Sequence, residues 1–280
     1  MNLLQILILA IVQGAAELLP VSSSAHVIVA EKLMGLDPTA PEMTLLLVML
    51  HTGTMFAVIV YFWQSWRAAY FSSVAAFRTN ALYVIVATLL TGVVGLALLE
   101  AIKHLAGNSP GFEIEHLFGN ARLMAAALAA AGLLIIASSR FAKVQDNDLS
   151  IGRSAWVGAV QGLCLPFRGF SRSGATISTG LFLGVSRRRA EEFSFALAVV
   201  LTPPVIAREA DRLFKSAAGA SAAAPAQLWH FVTPSLLGMV LSFVAGLGAL
   251  VWLSRWLEQG RWHLFGAYCL FASLMVLWIG

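Results

Sequence analysis

The chain has 280 residues, of which 59% are hydrophobic and only 11% charged, with a formal net charge of +4. A soluble domain carries roughly 25% charged residues, so this composition excludes an ordinary soluble fold and points to an integral membrane protein. The positive excess is small and scattered, which excludes nucleic acid as a partner.

Apolar stretches of membrane-spanning length recur along the chain, which predicts helices and not an outer-membrane barrel. Leu3 to Leu19 is the first. No Lys or Arg precedes it, and Gln13 and Glu17 fall where a signal peptide would need a small-residue cleavage site, so it reads as mature structure. Pro20 ends it, Val21 to Ser24 is a polar break, and Ala25 to Met34 is a second short apolar run. Neither run clearly spans a hydrocarbon core of ~30 Å. Two short helices around a polar turn predict a re-entrant hairpin, tolerated where protein or water covers the turn.

Six full spans follow by hydropathy: Met43–Trp63, Ala81–Leu105, Ala121–Phe141, Phe193–Arg208, Phe231–Leu253 and Leu264–Gly280. Between the third and fourth, Ala155–Val185 repeats the broken pattern of the N-terminus. Ser216–Gln227 is Ala/Ser-rich and predicts a surface loop. Cys164 and Cys269 lie far apart in apolar segments, make no metal motif and read as small buried hydrophobes.

The two broken segments resemble each other. Gln13 to His26 and Gln161 to Thr176 both follow an apolar run ending in Val-Gln-Gly, then carry Leu-Pro and a serine cluster. If the first hairpin enters and leaves on the outside, the loops assigned to the cytoplasm carry ten Lys and Arg and the external ones six, as the positive-inside rule requires. Both termini are then external, and the hairpins enter from opposite faces. The expected fold is an all-α integral membrane domain over residues 1–280, with six transmembrane helices and two re-entrant helical hairpins in an inverted repeat. Its halves are about 1–105 and 150–254, with spans 121–141 and 264–280 completing the bundle.

The hairpins also carry the polar groups. Arg168 and Arg172, beside Gly169 and Gly174, read as an anion clamp, with Ser171, Ser173 and Thr176 as hydroxyl donors and a helix starting near Gly174. Arginine suits phosphate in such a place. Gln13 and Glu17, four apart, share a helix face. They read as oxygen ligands for Mg²⁺ or Ca²⁺, completed by phosphate and water, or as a polar pair sealing the hairpin. The serines at 22–24 suit the cap of the second short helix. A serine with His26 three positions on also suits a nucleophile and base. His51 reads as a buried histidine near this group.

At these residues the sequence resembles the undecaprenyl-diphosphate phosphatase family of bacterial inner-membrane proteins. Gln13, Glu17, Leu19-Pro20-Val21-Ser22-Ser23 and His26 match its first motif, and Gly169-Phe170-Ser171-Arg172-Ser173-Gly174-Ala175-Thr176 match all of its second but the leading proline. Ile177-Ser178 and Gly184-Val185-Ser186-Arg187 also look like the family. Gln13 stands where many members have glutamate, Arg168 replaces the proline in a segment one residue longer, and Ala25 stands where glycine is common, the marks of a divergent subgroup.

The resemblance implies hydrolysis of a C55 polyprenyl diphosphate to the monophosphate and inorganic phosphate, recycling the cell-wall lipid carrier, an activity that underlies bacitracin resistance. It implies a multi-pass protein of the inner membrane with a site opening to the periplasm and a requirement for a divalent cation. It makes Ser23 the nucleophile candidate, His26 its partner, Glu17 a metal ligand or base and Arg172 the phosphate clamp, with Ser22, Ser171, Ser173, Gly174 and Thr176 at the phosphate. Ser23, His26 and water all remain as nucleophiles, and a second copy of the chain as partner is left open. The rival reading is a polyprenyl-phosphate flippase or other secondary transporter, since inverted repeats with broken helices are common there. The other membrane lipid-phosphatase signature, Lys-x6-Arg-Pro with a histidine six residues after a Ser-Arg, does not occur.

Overall fold

A computed structural model describes residues 2–37, 41–105, 120–141, 147–218 and 224–279. Lys143, residues 219–223 of the Ala/Ser-rich segment and Gly280 lie outside them. Among the described residues there are ten helices and no strand. They are α1 (Leu3–Leu18), α2 (Ser23–Leu33), α3 (Pro41–Tyr70), α4 (Val74–Leu105), α5 (Ala121–Phe141), α6 (Ile151–Leu163), α7 (Arg172–Phe182), α8 (Arg187–Ala218), α9 (Ala224–Glu258) and α10 (Trp262–Ile279).

Local chemistry sets the ends of the short helices. Asn2 opens α1 with a capping box: its side chain accepts from Gln5 N–H at 2.8 Å, and its own N–H donates to Gln5 Oε1 at 2.9 Å. Pro20 lies just beyond the last turn of α1. Ser150 caps α6 by accepting from Arg153 N–H at 3.3 Å. At 1.5 Å per residue, α1, α2, α6 and α7 reach about 24, 17, 20 and 17 Å, all short of a ~30 Å core.

Among the described residues, five helices are long and apolar enough to cross a membrane: α3 from Met43, α4, α5, α9 from Val232, and α10. α8 carries the sixth expected span. Its apolar run, Phe193 to Ala207, is bounded by Glu192 and Arg208 and contains Pro203 and Pro204, which keeps it short of the other five. The expected loop at 216–227 is corrected in part, because α8 continues to Ala218 and α9 begins at Ala224. Alanine favours helix more than any other residue, which is why an Ala-rich stretch extends both helices.

Packing is pairwise. α1 lies against α9 and α6 against α4; α3 packs on α8 and α9, and α5 on α10. One large buried cluster runs through Leu18, Phe62, Phe193, Phe195, Leu250 and Trp262, and a smaller one gathers Leu9, Met43, Leu46 and Leu50. α4 turns Leu82, Ile85, Leu89, Val93 and Leu96 outward, an apolar face of the kind a helix presents to lipid.

The seams between helices rest on glycine. A Cβ on Gly158 of α6 would stand 2.1 Å from the Ala87 carbonyl oxygen of α4, and one on Gly14 of α1 would stand 2.7 Å from the Ser242 carbonyl oxygen of α9. Both obstacles are backbone, so the helices would have to part. Gly158→Ala is therefore expected to destabilise the protein by about 1–3 kcal/mol through overpacking. Gly152→Ala, on the same helix with open space around it, should be neutral or stabilise by up to about 1 kcal/mol. Thermal melting of both variants in detergent checks the opposite signs.

Candidate active site

The turn after α1 brings Ser23 back to Glu17. Leu19 N–H still donates to Ala15 O at 2.9 Å, Val21 N–H to Leu19 O at 2.8 Å, and Ser22 then adopts φ 66°, ψ 97° before α2 starts at Ser23. Ser22 is the only non-glycine residue with positive φ among those described, a conformation a side chain disfavours. It occupies the cap position of α2, but its side chain makes no capping bond, so the expected serine cap is not formed.

The second hairpin turns through Gly169, at φ +104°, where a Cβ would stand 2.4 Å from the Met124 carbonyl oxygen. Ser171 then caps α7, its Oγ accepting from Gly174 N–H at 3.3 Å. The helix therefore begins at Arg172, two residues before the expected start. The two turns touch. Ser173 Oγ donates to Leu19 O at 3.3 Å, and Gly174 is hemmed in by Pro20 and Ile135.

Between the turns lies Glu17. Ser23 Oγ donates to its Oε2 at 2.6 Å, Gln13 Nε2 donates to the same oxygen at 3.2 Å, and Arg172 Nη2 stands 3.4 Å from Oε1. His51 of α3 reaches in from a third direction, with Nε2 at 3.8 Å from Oε2 and Nδ1 2.8 Å from Leu47 O. A carbonyl only accepts, so the His51 Nδ1 carries the proton. The side chains of Glu17 and Arg172 are 19% and 22% exposed, so the pair is half-buried. Arg172 Nη1 is buried with no hydrogen-bond partner. A buried donor of this strength is seldom left unmatched in a finished structure, and it belongs to the guanidinium that pairs with Glu17.

Gln13, Glu17, Ser23, Arg172 and His51 thus form one group. His26 does not join it through its ring: Nδ1 is 2.8 Å from Ser22 O and Nε2 2.7 Å from Tyr268 Oη. Arg168 is exposed, and its charge acts on Glu31 of α2. The hydroxyls expected at the phosphate are used within the fold: Ser171 in the cap, Ser173 on Leu19 O, and Thr176 on Arg172 O at 2.8 Å and Ser194 Oγ at 2.6 Å. Gly169 and Gly174 likewise serve close packing of backbone. Tyr268 of α10 went unrecognised in the sequence; its neighbour Cys269 is buried, as expected, and its Sγ donates to Pro20 O at 3.2 Å. They sit in an apolar span, and only the tyrosine's polar tip marks it.

For a divalent cation, the described residues offer no group of three or more His, Cys, Asp or Glu. Glu17 and the Gln13 amide oxygen are two hard ligands of the six to eight that Mg²⁺ or Ca²⁺ takes. They fit a cation whose other ligands come from phosphate and water, provided the Gln13 amide turns its oxygen inward.

The bacitracin resistance protein BacA family matches residues 6–275. Undecaprenyl-diphosphatase 2 of Acinetobacter baylyi is 63% identical over 99% of this chain and 98% of its own length. Undecaprenyl-diphosphatase of Desulfosudis oleivorans is 34% identical over 100% of this chain and 99% of its own, and that of Parabacteroides distasonis is 26% identical over 99% and 98%. Matched over residues 6–275 by the family and over nearly its whole length by these relatives, the chain belongs to the bacitracin resistance protein BacA family.

Proposed function

We propose that this protein hydrolyses undecaprenyl diphosphate to undecaprenyl phosphate and inorganic phosphate, as the names of its relatives describe. The observation that carries the assignment of chemistry is the Ser23–Glu17–Arg172 group. Ser23 Oγ, 2.6 Å from a carboxylate, attacks the terminal phosphorus while Glu17 takes its proton. Arg172 turns its unpartnered Nη1 to the phosphate oxygens and offsets the charge that builds on them. The bond from the terminal phosphorus to the bridging oxygen breaks, and undecaprenyl phosphate leaves with the electron pair. Water then attacks the phosphoserine, Glu17 returns its proton to Ser23 Oγ, and phosphate departs with the remaining proton going to solvent. A Mg²⁺ or Ca²⁺ ion held by Glu17 and Gln13 would neutralise diphosphate charge.

The fold we propose for this chemistry is an inverted repeat of α1–α5 and α6–α10. Two features support it. Exchanging the halves helix for helix turns the contact of α1 with α9 into that of α6 with α4, α2 with α10 into α7 with α5, and α3 with α9 into α8 with α4; α3 with α8 and α5 with α10 map onto themselves. The contacts of α1 with α3 and of α7 with α8 are exceptions. Three spanning helices, α3, α4 and α5, separate the hairpins, and an odd number puts their entrances on opposite faces. With α8 as the sixth span and the arginine-rich loops inside, the protein sits in the inner membrane and the Ser23 turn is reached from the periplasmic side.

Phosphate release from undecaprenyl diphosphate in detergent, with and without chelator, tests the assignment; no release under either condition would overturn it. Ser23→Ala should lose about 10³-fold or more in kcat if the serine is the nucleophile, whereas loss of one neutral hydrogen bond would cost about tenfold at most. Glu17→Gln should fall about 10²-fold or more and Gln13→Ala about tenfold or less; equal losses would remove Glu17 from its role. Arg172→Lys should lower kcat/KM about 10²-fold, since an ammonium cannot make the two-pronged contact of a guanidinium.

A further inference from the structure

His26 belongs to the turn that presents Ser23, yet both its ring nitrogens are engaged elsewhere. Nδ1 faces the Ser22 carbonyl at 2.8 Å, and an oxygen that can only accept requires the proton to be on Nδ1. Nε2 of the neutral ring then has a lone pair, and the Tyr268 hydroxyl, 2.7 Å away, donates to it. The two rings stack, with centroids 5.6 Å apart and planes 15° from parallel. Tyr268 lies on α10, which holds the same turn a second time through Cys269 Sγ and Pro20 O.

The carbonyl that His26 grips is not an ordinary one. It belongs to Ser22, whose φ of 66° persists only where the surroundings hold it. The next residue is Ser23, so the orientation of this peptide sets where Ser23 Oγ points. Glu17 is already within hydrogen-bonding distance of that oxygen, which leaves no proton for His26 to take.

We infer that Tyr268 is a positioning residue: its hydroxyl, donating to the free lone pair on Nε2, holds the His26 ring in place, and His26 so held grips the Ser22 carbonyl through Nδ1–H and aims Ser23 at Glu17. This rests on Ser23 being the nucleophile. His26 is on this account a positioning residue too. Its useful atom is Nδ1, whereas a histidine acting as acid or base would use Nε2.

Amide side chains separate the two atoms. The nitrogen of asparagine falls near the place of Nδ1 and that of glutamine near Nε2. With undecaprenyl diphosphate as substrate, His26→Asn is expected to stay within about tenfold of the wild-type kcat, the worth of one hydrogen bond, and His26→Gln to fall at least a further tenfold. Tyr268→Phe, which keeps the ring stack, should lower kcat about three- to tenfold with KM unchanged. In ¹⁵N-histidine spectra of the full-length protein in detergent, His26 should be protonated on Nδ1 in the wild type, and its Nε2 signal should shift in Tyr268→Phe as the lone pair loses its donor. Equal losses in the asparagine and glutamine variants, an Nε2-protonated His26 in the wild type, or a Tyr268→Phe protein with unchanged kcat and an unchanged Nε2 signal would each overturn the inference. Ser23→Ala tells the two readings apart. Turnover retained there removes the nucleophile whatever the His26 variants do. A dead Ser23→Ala with equally impaired asparagine and glutamine variants removes the inference alone.

Discussion

The structure depends on one half-buried carboxylate that neither hairpin can satisfy alone. Glu17 is supplied by α1, yet the cation opposite it, Arg172, comes from the first residue of α7. Burying an unpaired charge is costly, and a buried pair is worth having only when its remaining groups are also hydrogen-bonded. Here Ser23 and Gln13 complete the acid's side, while Arg172 Nη1 is left unmatched. The incompleteness is on the cationic side, where an anionic substrate would complete it.

That constraint explains why the two turns must meet so closely. Gly174 has no room for a side chain against Pro20 and Ile135, and Ser173 gives its hydroxyl to Leu19 O. Residues that read in the sequence as phosphate ligands are thus employed in docking one turn against the other. A serine is equally able to donate to a phosphate oxygen or to a main-chain carbonyl, and only tertiary placement decides between them.

Much of the fold was legible because its signals are local. Helices, breaks at Pro20 and in the 164–171 region, and five of the spans follow from apolar runs and their interruptions. The members of the site that lie in the two motifs were also legible: Gln13, Glu17, Ser23 and Arg172 stand out because polar groups are rare in so apolar a chain. What could not be read was direction. His26 is three residues from Ser23, but the backbone at Ser22 turns its ring toward α10, and no local rule places Tyr268, 242 positions away, beside it. His51 was a polar residue in an apolar helix with no visible partner, and the carboxylate it faces lies on another helix. The Ala/Ser-rich segment misled in the opposite sense: its composition suits a loop and a helix alike, and the neighbouring helices extended into it.

The distance along the chain between Glu17 and Arg172 also bears on how the protein is made. They are 155 residues apart. A ribosome adding about 5–20 residues per second takes about 8–30 s to go from one to the other. For that interval the nascent chain carries an acid destined for a low-dielectric site, and its counter-ion does not yet exist. Until then only Gln13, Ser23 and His51 of the first half can face Glu17, so the contact that completes its surroundings joins one of the first residues translated to one made more than halfway through synthesis.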